Sequence, residues 1–129
     1  ADKAATAISQ DVHSIRAIEI THNTHTFTVN DLFKSILRDV QWNYEPSQQE
    51  NILKITGTWQ PNLFASYNID ETIKPDLAVN GRVTIELQVE ENIIQEENTT
   101  VTLTYNEENL LNETGQETLH YLYEYYITK

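Results

Sequence analysis

The segment Val83-Thr84-Ile85-Glu86-Leu87-Gln88-Val89-Glu90 alternates apolar and polar side chains from end to end. Successive side chains of a β-strand point to opposite faces, so this pattern turns Val83, Ile85, Leu87 and Val89 towards apolar material and Thr84, Glu86, Gln88 and Glu90 towards water. One-sided wetting belongs to antiparallel sheets, because parallel sheets are covered on both faces and need near-continuous apolar strands. The rest of the chain must therefore supply neighbouring strands and an apolar roof.

Neighbours are easy to find. Beyond an acidic turn near Glu91 to Asn98, Val101, Leu103 and Tyr105 alternate with Thr100, Thr102 and Thr104. Leu53, Ile55, Gly57 and Trp59 share one face, with Lys54, Thr56 and Thr58 on the other. A glycine inside such a strand marks a bulge or the close approach of a bulky neighbour. Trp42 and Tyr44 alternate ahead of a turn at Glu45-Pro46-Ser47-Gln48-Gln49-Glu50. Two short strand-like pieces, Ile18 with Ile20 and Phe27 with Val29, lie out of phase across His22-Asn23-Thr24-His25, which requires a turn or bulge between them. Residues 61–81, with Pro61, Pro75 and Asn80-Gly81, hold no sustained period and read as a long excursion with a short strand around Leu63 to Ile69.

The roof is expected from two segments. Asn30 or Asp31 can cap a helix over residues 31–40, where Leu32, Phe33, Ile36, Leu37 and Val40 make an apolar stripe with Lys34 and Arg38 opposite. Near the C-terminus, Thr114-Gly115-Gln116-Glu117 fits a capping box, and Leu119, Leu122, Tyr123 and Tyr126 form a helical stripe. The same segment also alternates at Leu119, Tyr121, Tyr123, Tyr125 and Ile127, as a strand would. The helix is the reading taken here, with a strand over 117–127 as the alternative. The expected fold is α+β: an antiparallel sheet of four to five strands with helix 31–40 and a C-terminal helix packed on one face. Residues 1–15 are a poorly patterned arm and 16–129 a single domain.

Charge narrows the partners. The 129 residues carry 8 Lys+Arg against 20 Asp+Glu, a formal charge of −12, which makes nucleic acid and anionic membranes poor partners. Residues 1–64 hold 7 acids and 5 bases, whereas residues 65–129 hold 13 acids and 3 bases. No apolar run approaches the ~20 residues needed to cross a bilayer, so the chain is not expected to insert in a membrane. Cysteine and methionine are absent. The start at Ala1-Asp2-Lys3-Ala4 is compatible with expression of a segment or with removal of a signal peptide. Abundant Thr and Asn in a Cys-free, Lys-poor chain lean towards a secreted or bacterial cell-envelope setting, periplasmic or surface.

Few residues suggest chemistry. His22-x-x-His25, with His13 and Asp11 upstream, has a metal flavour, but its Thr-rich flanks indicate a strand or turn with exposed imidazoles, so no metal is expected. Glu90-Glu91 and Glu96-Glu97 lack the preformed oxygen cage of a calcium loop. Without Cys, G-x-S-x-G or a glycine-rich phosphate loop, neither a catalytic residue nor a cofactor is expected, and the chain does not read as an enzyme. What stands out is a surplus of aromatic rings. Trp42, Tyr44, Trp59, Tyr67, Tyr121 and Tyr125 are the candidate contact residues for a ligand or partner, since such rings bring large area at low entropy cost.

The succession Phe27-Thr28-Val29-Asn30-Asp31-Leu32-Phe33, Val40-Gln41-Trp42-Asn43-Tyr44, Leu53-Lys54-Ile55-Thr56-Gly57-Thr58-Trp59 and Val83-Thr84-Ile85-Glu86-Leu87-Gln88-Val89 resembles small uncharacterised bacterial extracytoplasmic domains. In those a short helix leads into a W-x-Y/F strand, a V-x-x-T/S-G strand, further antiparallel strands and a closing helix. The likeness spans about residues 25–127 and departs in the Pro-containing stretch 61–80. It implies an α+β sheet domain at the cell envelope, often joined to an anchor, with no catalytic residues to carry over. The functional expectation is a non-enzymatic binding or assembly module of the bacterial envelope that meets a protein partner, or a second copy of itself, through exposed aromatics. The alternative is a sensor or carrier for a small ligand or cation, with a pocket between helix and sheet lined by Trp42, Trp59 and Tyr67.

Overall fold

β5 (Arg82–Glu90) is the middle strand of the main sheet, and its alternation decides which way the sheet faces. In this computed structural model, which describes residues 12–46, 51–65, 67 and 69–128, it is flanked by β4 (Asn51–Thr58) and β7 (Thr100–Tyr105), both antiparallel to it. Ile85 stands between Ile55 and Val101, Val83 between Gly57 and Leu103, and Leu87 opposite Leu53. All of these aliphatic side chains are fully buried. Thr84, between Thr56 and Thr102, lies on the opposite, half-wetted face.

The fold is α+β, and the main sheet has six strands, in the order β3 (Arg38–Pro46), β4, β5, β7, β8 (Glu108–Thr114), with β6 (Ile93–Ile94) on the end of β5. β3 and β8 form its two outer positions. The expected four to five strands are thus too few. β8 escapes a pattern search because its two apolar residues, Leu110 and Leu111, are adjacent rather than alternating and only Leu111 is buried, opposite Leu103. β6 is too short to show a period. The strand pieces near the N-terminus do not join this sheet. β1 (Glu19–His22) and β2 (His25–Thr28) pair with each other, Ile20 opposite Phe27, and the phase change between them is a two-residue turn at Asn23-Thr24.

Three hairpins turn in the same way. Asn23-Thr24, Glu91-Asn92 and Asn106-Glu107 each place two consecutive residues at positive φ, between 50° and 68°. Tight hairpin turns need that backbone to match strand twist, and Asn tolerates it best after glycine. With 3 glycines in the whole chain, Asn takes the role in all three turns.

The roof lies on the apolar face. α2 (Val29–Ile36) buries Val29, Leu32, Phe33 and Ile36, and α4 (Gln116–Thr128) buries Thr118, Leu119, Leu122 and Tyr123. The two helices pack on each other, and the β1–β2 hairpin joins them through Phe27, whose ring lies 5.7 Å from Tyr123 and 4.8 Å from Tyr126. The C-terminal segment is therefore the helix, not the alternative strand. One aliphatic side chain fully buried here contributes about 1.5–3 kcal/mol.

The helix expected over 31–40 is displaced. Thr28, not Asn30 or Asp31, is the N-cap: its hydroxyl accepts from the Asp31 backbone N–H, and the Asp31 carboxylate accepts from the Thr28 N–H. At the other end Leu37 is extended (φ −127°, ψ 160°), and Arg38 already pairs with Thr58. Trp42 and Tyr44 pair opposite Ile55 and Leu53 of β4, and Leu37 has room only over Gly57, so tertiary packing overrides the helical period and the sheet claims residues 38–40. Leu37 then drops onto Gly57, where an added Cβ would sit 2.8 Å from the Leu37 Cβ and 3.0 Å from the Arg38 carbonyl.

The excursion after β4 contains no strand among its described residues. Turns at 61–65 lead to a 3₁₀ turn (Glu71–Ile73) and to α3 (Lys74–Asn80), while Leu63, Phe64, Ile69 and Leu77 are buried. Of the expected N-terminal arm, residues 1–11 lie outside the described residues. The remainder belongs to α1 (Val12–Arg16), which buries Ile15.

The contact at Gly57 yields a direct test. Gly57→Ala should destabilise the protein by about 1–3 kcal/mol, because the methyl group overpacks a backbone carbonyl and a fixed side chain. Urea unfolding followed by circular dichroism reads this, and an unchanged midpoint would show that Leu37 does not rest there.

Candidate functional site

An open cleft of about 690 Å³ lies where α1, α2 and β3 meet, bordered by Arg16, Lys34, Arg38, Asp39, Trp42 and Gln60, with Leu37 and Val40 as its apolar part. Each cation arrives by a different local cause. Arg16 ends α1, and its Nε and Nη2 both donate to Asn30 Oδ1, at 2.9 and 2.6 Å. That fork lays the guanidinium over the Trp42 ring, 4.5 Å from its centroid, an attraction worth about 0.5–2 kcal/mol. Phe33 of α2 meets Trp42 edge-on at 6.2 Å, so the indole is set from the core side as well. Lys34 is exposed on α2, facing away from the helix's buried stripe.

Arg38 opens β3, and its Nη2 donates to the Trp59 carbonyl at 3.4 Å and to the Ala78 carbonyl. Asp39 follows at φ 52°, and the register of β3 against β4 shifts between Arg38 and Gln41. Such a bulge re-aims the side chains beside it. Gln60 Nε2 donates to the Ser35 carbonyl at 3.0 Å and ties the excursion to the end of α2. Among the described residues, none of the three cations has a carboxylate within ion-pair distance, although the chain is rich in acids.

The aromatic candidates divide into two groups. Trp42 lines the basic cleft, and Tyr44, half-buried, follows it two residues along β3. Trp59 lies elsewhere, against the excursion and α3, and Tyr67, Tyr121 and Tyr125 lie between the excursion and α4. Trp59 is buried, and its Nε1 donates to the Leu63 carbonyl at 2.9 Å. Tyr121 stacks on Phe64 at 5.8 Å, meets Tyr67 edge-on at 5.4 Å, and its hydroxyl accepts from the Ala65 N–H. Tyr125 donates to the Pro61 carbonyl at 3.1 Å. Tyr121 and Tyr125 thus tie Pro61, Ala65 and Tyr67 to the flank of α4, while Trp59 closes on Leu63 within the excursion. Trp42 and Trp59 line two different hollows, the second a smaller one of about 330 Å³ with Pro61, Leu63, Pro75 and Ala78.

The histidines also find partners. His22 and His25 face each other across the β1–β2 turn, and His22 Nε2 lies 2.7 Å from Glu124 Oε2 on α4. His120, also on α4, lies 2.9 Å from Glu96 Oε1, with its ring 5.2 Å from that of His22. Tyr123 donates to Glu96 Oε2 at 3.0 Å. The cluster joins the hairpin, the 3₁₀ turn (Glu96–Asn98) and α4, and among the described residues no group of three or more His, Asp or Glu is placed to hold a metal.

Sequence reasoning missed Arg16, Lys34 and Arg38. The available signal was the lodging of 5 of the 8 bases in the first half of an acidic chain. No helix among the described residues is long and apolar enough to cross a membrane. Neither a protein-family pattern, nor a curated protein, nor a solved structure matches this chain.

Burial of Tyr123, reinforced by the carboxylate of Glu96, pushes its hydroxyl well above the usual tyrosine range. In the unfolded chain it would ionise near pH 10 while the folded protein keeps the proton, so its stabilisation is complete below about pH 10 and is lost above it. Tyr123→Phe should cost about 1 kcal/mol at pH 8 through the lost bond to Glu96. That gap should narrow at about pH 11, as measured by urea unfolding at the two pH values; a constant gap would contradict the buried, proton-retaining hydroxyl.

Proposed function

We propose that this chain is a non-enzymatic binding domain of the bacterial cell envelope, whose small-molecule ligand enters the cleft between α1, α2 and β3. The single observation that carries the reading is the gathering of Arg16, Lys34 and Arg38 around the Trp42 ring in one hollow. The hollow, about 690 Å³, is open to solvent and mainly polar, with Leu37, Val40 and Trp42 as its apolar part, so its hold on a ligand comes chiefly from the charged groups. Arg16 is fixed in advance by Asn30 and by the indole, so binding need not order that side chain afresh. The absence of cysteine and the wealth of Thr and Asn support the envelope placement.

A protein-contact role through the aromatics has less behind it. Trp59, Tyr67, Tyr121 and Tyr125 already make contacts within the chain. Of the expected pocket residues Trp42, Trp59 and Tyr67, the cleft between helix and sheet contains Trp42, while Trp59 lines the smaller hollow.

A thermal-shift panel of neutral and charged small metabolites tests the reading, because a ligand that binds only the folded state must raise the unfolding midpoint. At least one compound should raise it in the wild type and lose at least about tenfold in affinity on Trp42→Ala, the ~1.4 kcal/mol of a removed pocket wall. No stabilising compound across the panel, or stabilisation that Trp42→Ala leaves intact, would overturn the assignment.

A further inference from the structure

Resting on the binding role just assigned to the cleft, we propose that its ligand is a small organic dianion, a phosphate monoester or a dicarboxylate. Charge bookkeeping at the rim gives three cations, Arg16, Lys34 and Arg38, against one acid, Asp39, a surplus of two positive charges. A ligand carrying two negative charges balances that surplus, whereas a cation would meet three like charges there.

The donor chemistry fits oxyanions. A guanidinium presents five N–H donors in a planar fork that matches the oxygens of carboxylate and phosphate. Arg16 commits Nε and Nη2 to Asn30, and Arg38 commits Nη2 to the carbonyls of Trp59 and Ala78. Nη1 of Arg16, and Nε and Nη1 of Arg38, have no bond to another described residue. The two guanidinium planes are thus held by internal bonds while donor capacity remains on each. Lys34, exposed, adds a third positive charge to the lining. Val40 and Trp42 supply apolar wall beyond the charged groups, which is why an organic ester or diacid fits this hollow better than bare inorganic phosphate.

The rest of the molecule sets the upper size limit. Outside the cleft the protein is strongly acidic, with a total formal charge of −12. A polyanion such as nucleic acid would lie across that acidic surface as well as the cleft and be repelled over most of its length. A small dianion feels chiefly the local cations, because charges beyond a Debye length of about 8 Å are screened at physiological salt. The cleft therefore selects short anions from long ones without any steric gate.

Isothermal titration with phenyl phosphate and with succinate, alongside Trp fluorescence, tests the proposal; phenol and a short DNA duplex serve as neutral and polyanionic probes. Phenyl phosphate or succinate should bind with a change in Trp42 emission, and phenol and the duplex should not. Lys34 is exposed and its replacement leaves the fold alone, so Lys34→Gln should weaken binding about threefold to fivefold, the effect of one exposed ion pair. Lys54→Gln, on the far face of the sheet and equal in net charge change, should leave the affinity unchanged. Equal losses in the two variants, or duplex binding as tight as that of the small anions, would overturn the proposal. Binding of phenol with neither dianion would overturn the charge assignment while leaving the cleft as a ligand site. If none of these probes binds and the metabolite panel is silent as well, both readings fall.

Discussion

A sheet that is wet on one side has to be roofed on the other, and here every large element answers to that asymmetry. The row formed by Ile55, Ile85 and Val101 runs across three strands, with Leu53 and Leu87 on one side of it and Val83 and Leu103 on the other. Slipping any strand by one residue would exchange this row for the one through Thr56, Thr84 and Thr102 and put hydroxyls under the helices. That cost pins the register. It also explains why α2 gives way to β3 after Ile36: the sheet needs a further strand beside β4, and Leu37 fits only where Gly57 leaves room.

The same early end of α2 creates the cleft. Had the helix continued to Val40, Lys34 and Arg38 would have shared its outer surface one turn apart. With the chain extended from Leu37, Arg38 instead reaches the carbonyls of Trp59 and Ala78, and Trp42 comes to lie beneath Arg16. A packing requirement in the core thus places the basic residues of the first half around one opening. Two tyrosines of α4 act further along the chain, where Tyr121 and Tyr125 secure residues that have no regular structure of their own.

Legibility in the sequence followed the strength of the local period. β5, β4 and β7 could be read because each alternates, and α4 because its helical stripe and strand alternation could be weighed against its capping signal. β8 was hidden because a strand at the sheet's border, with Leu111 as its buried side chain, carries almost no period. The helix boundary at Ile36 was hidden because Leu37 and Val40 suit either a helical stripe or a strand, and only pairing with β4 decides between them. The candidate site was legible through Trp42 alone. Arg16, Asn30 and Trp42 meet by tertiary placement across more than twenty residues, and no spacing rule for a catalytic or metal motif covers them.

The turns at Asn23-Thr24, Glu91-Asn92 and Asn106-Glu107 also bear on the order in which the molecule assembles. Hairpins closed by two residues form in about 1–10 μs and need no distant partner, so three pairs of strands can arise from local sequence alone. The join between His22 and Glu124 spans 102 positions and has to wait until α4 has formed and docked. Until α4 docks, α2 is the one long helix among the described residues on the aliphatic side of the sheet, and the side chains that Leu119, Leu122 and Tyr123 will cover stay open to association with other chains.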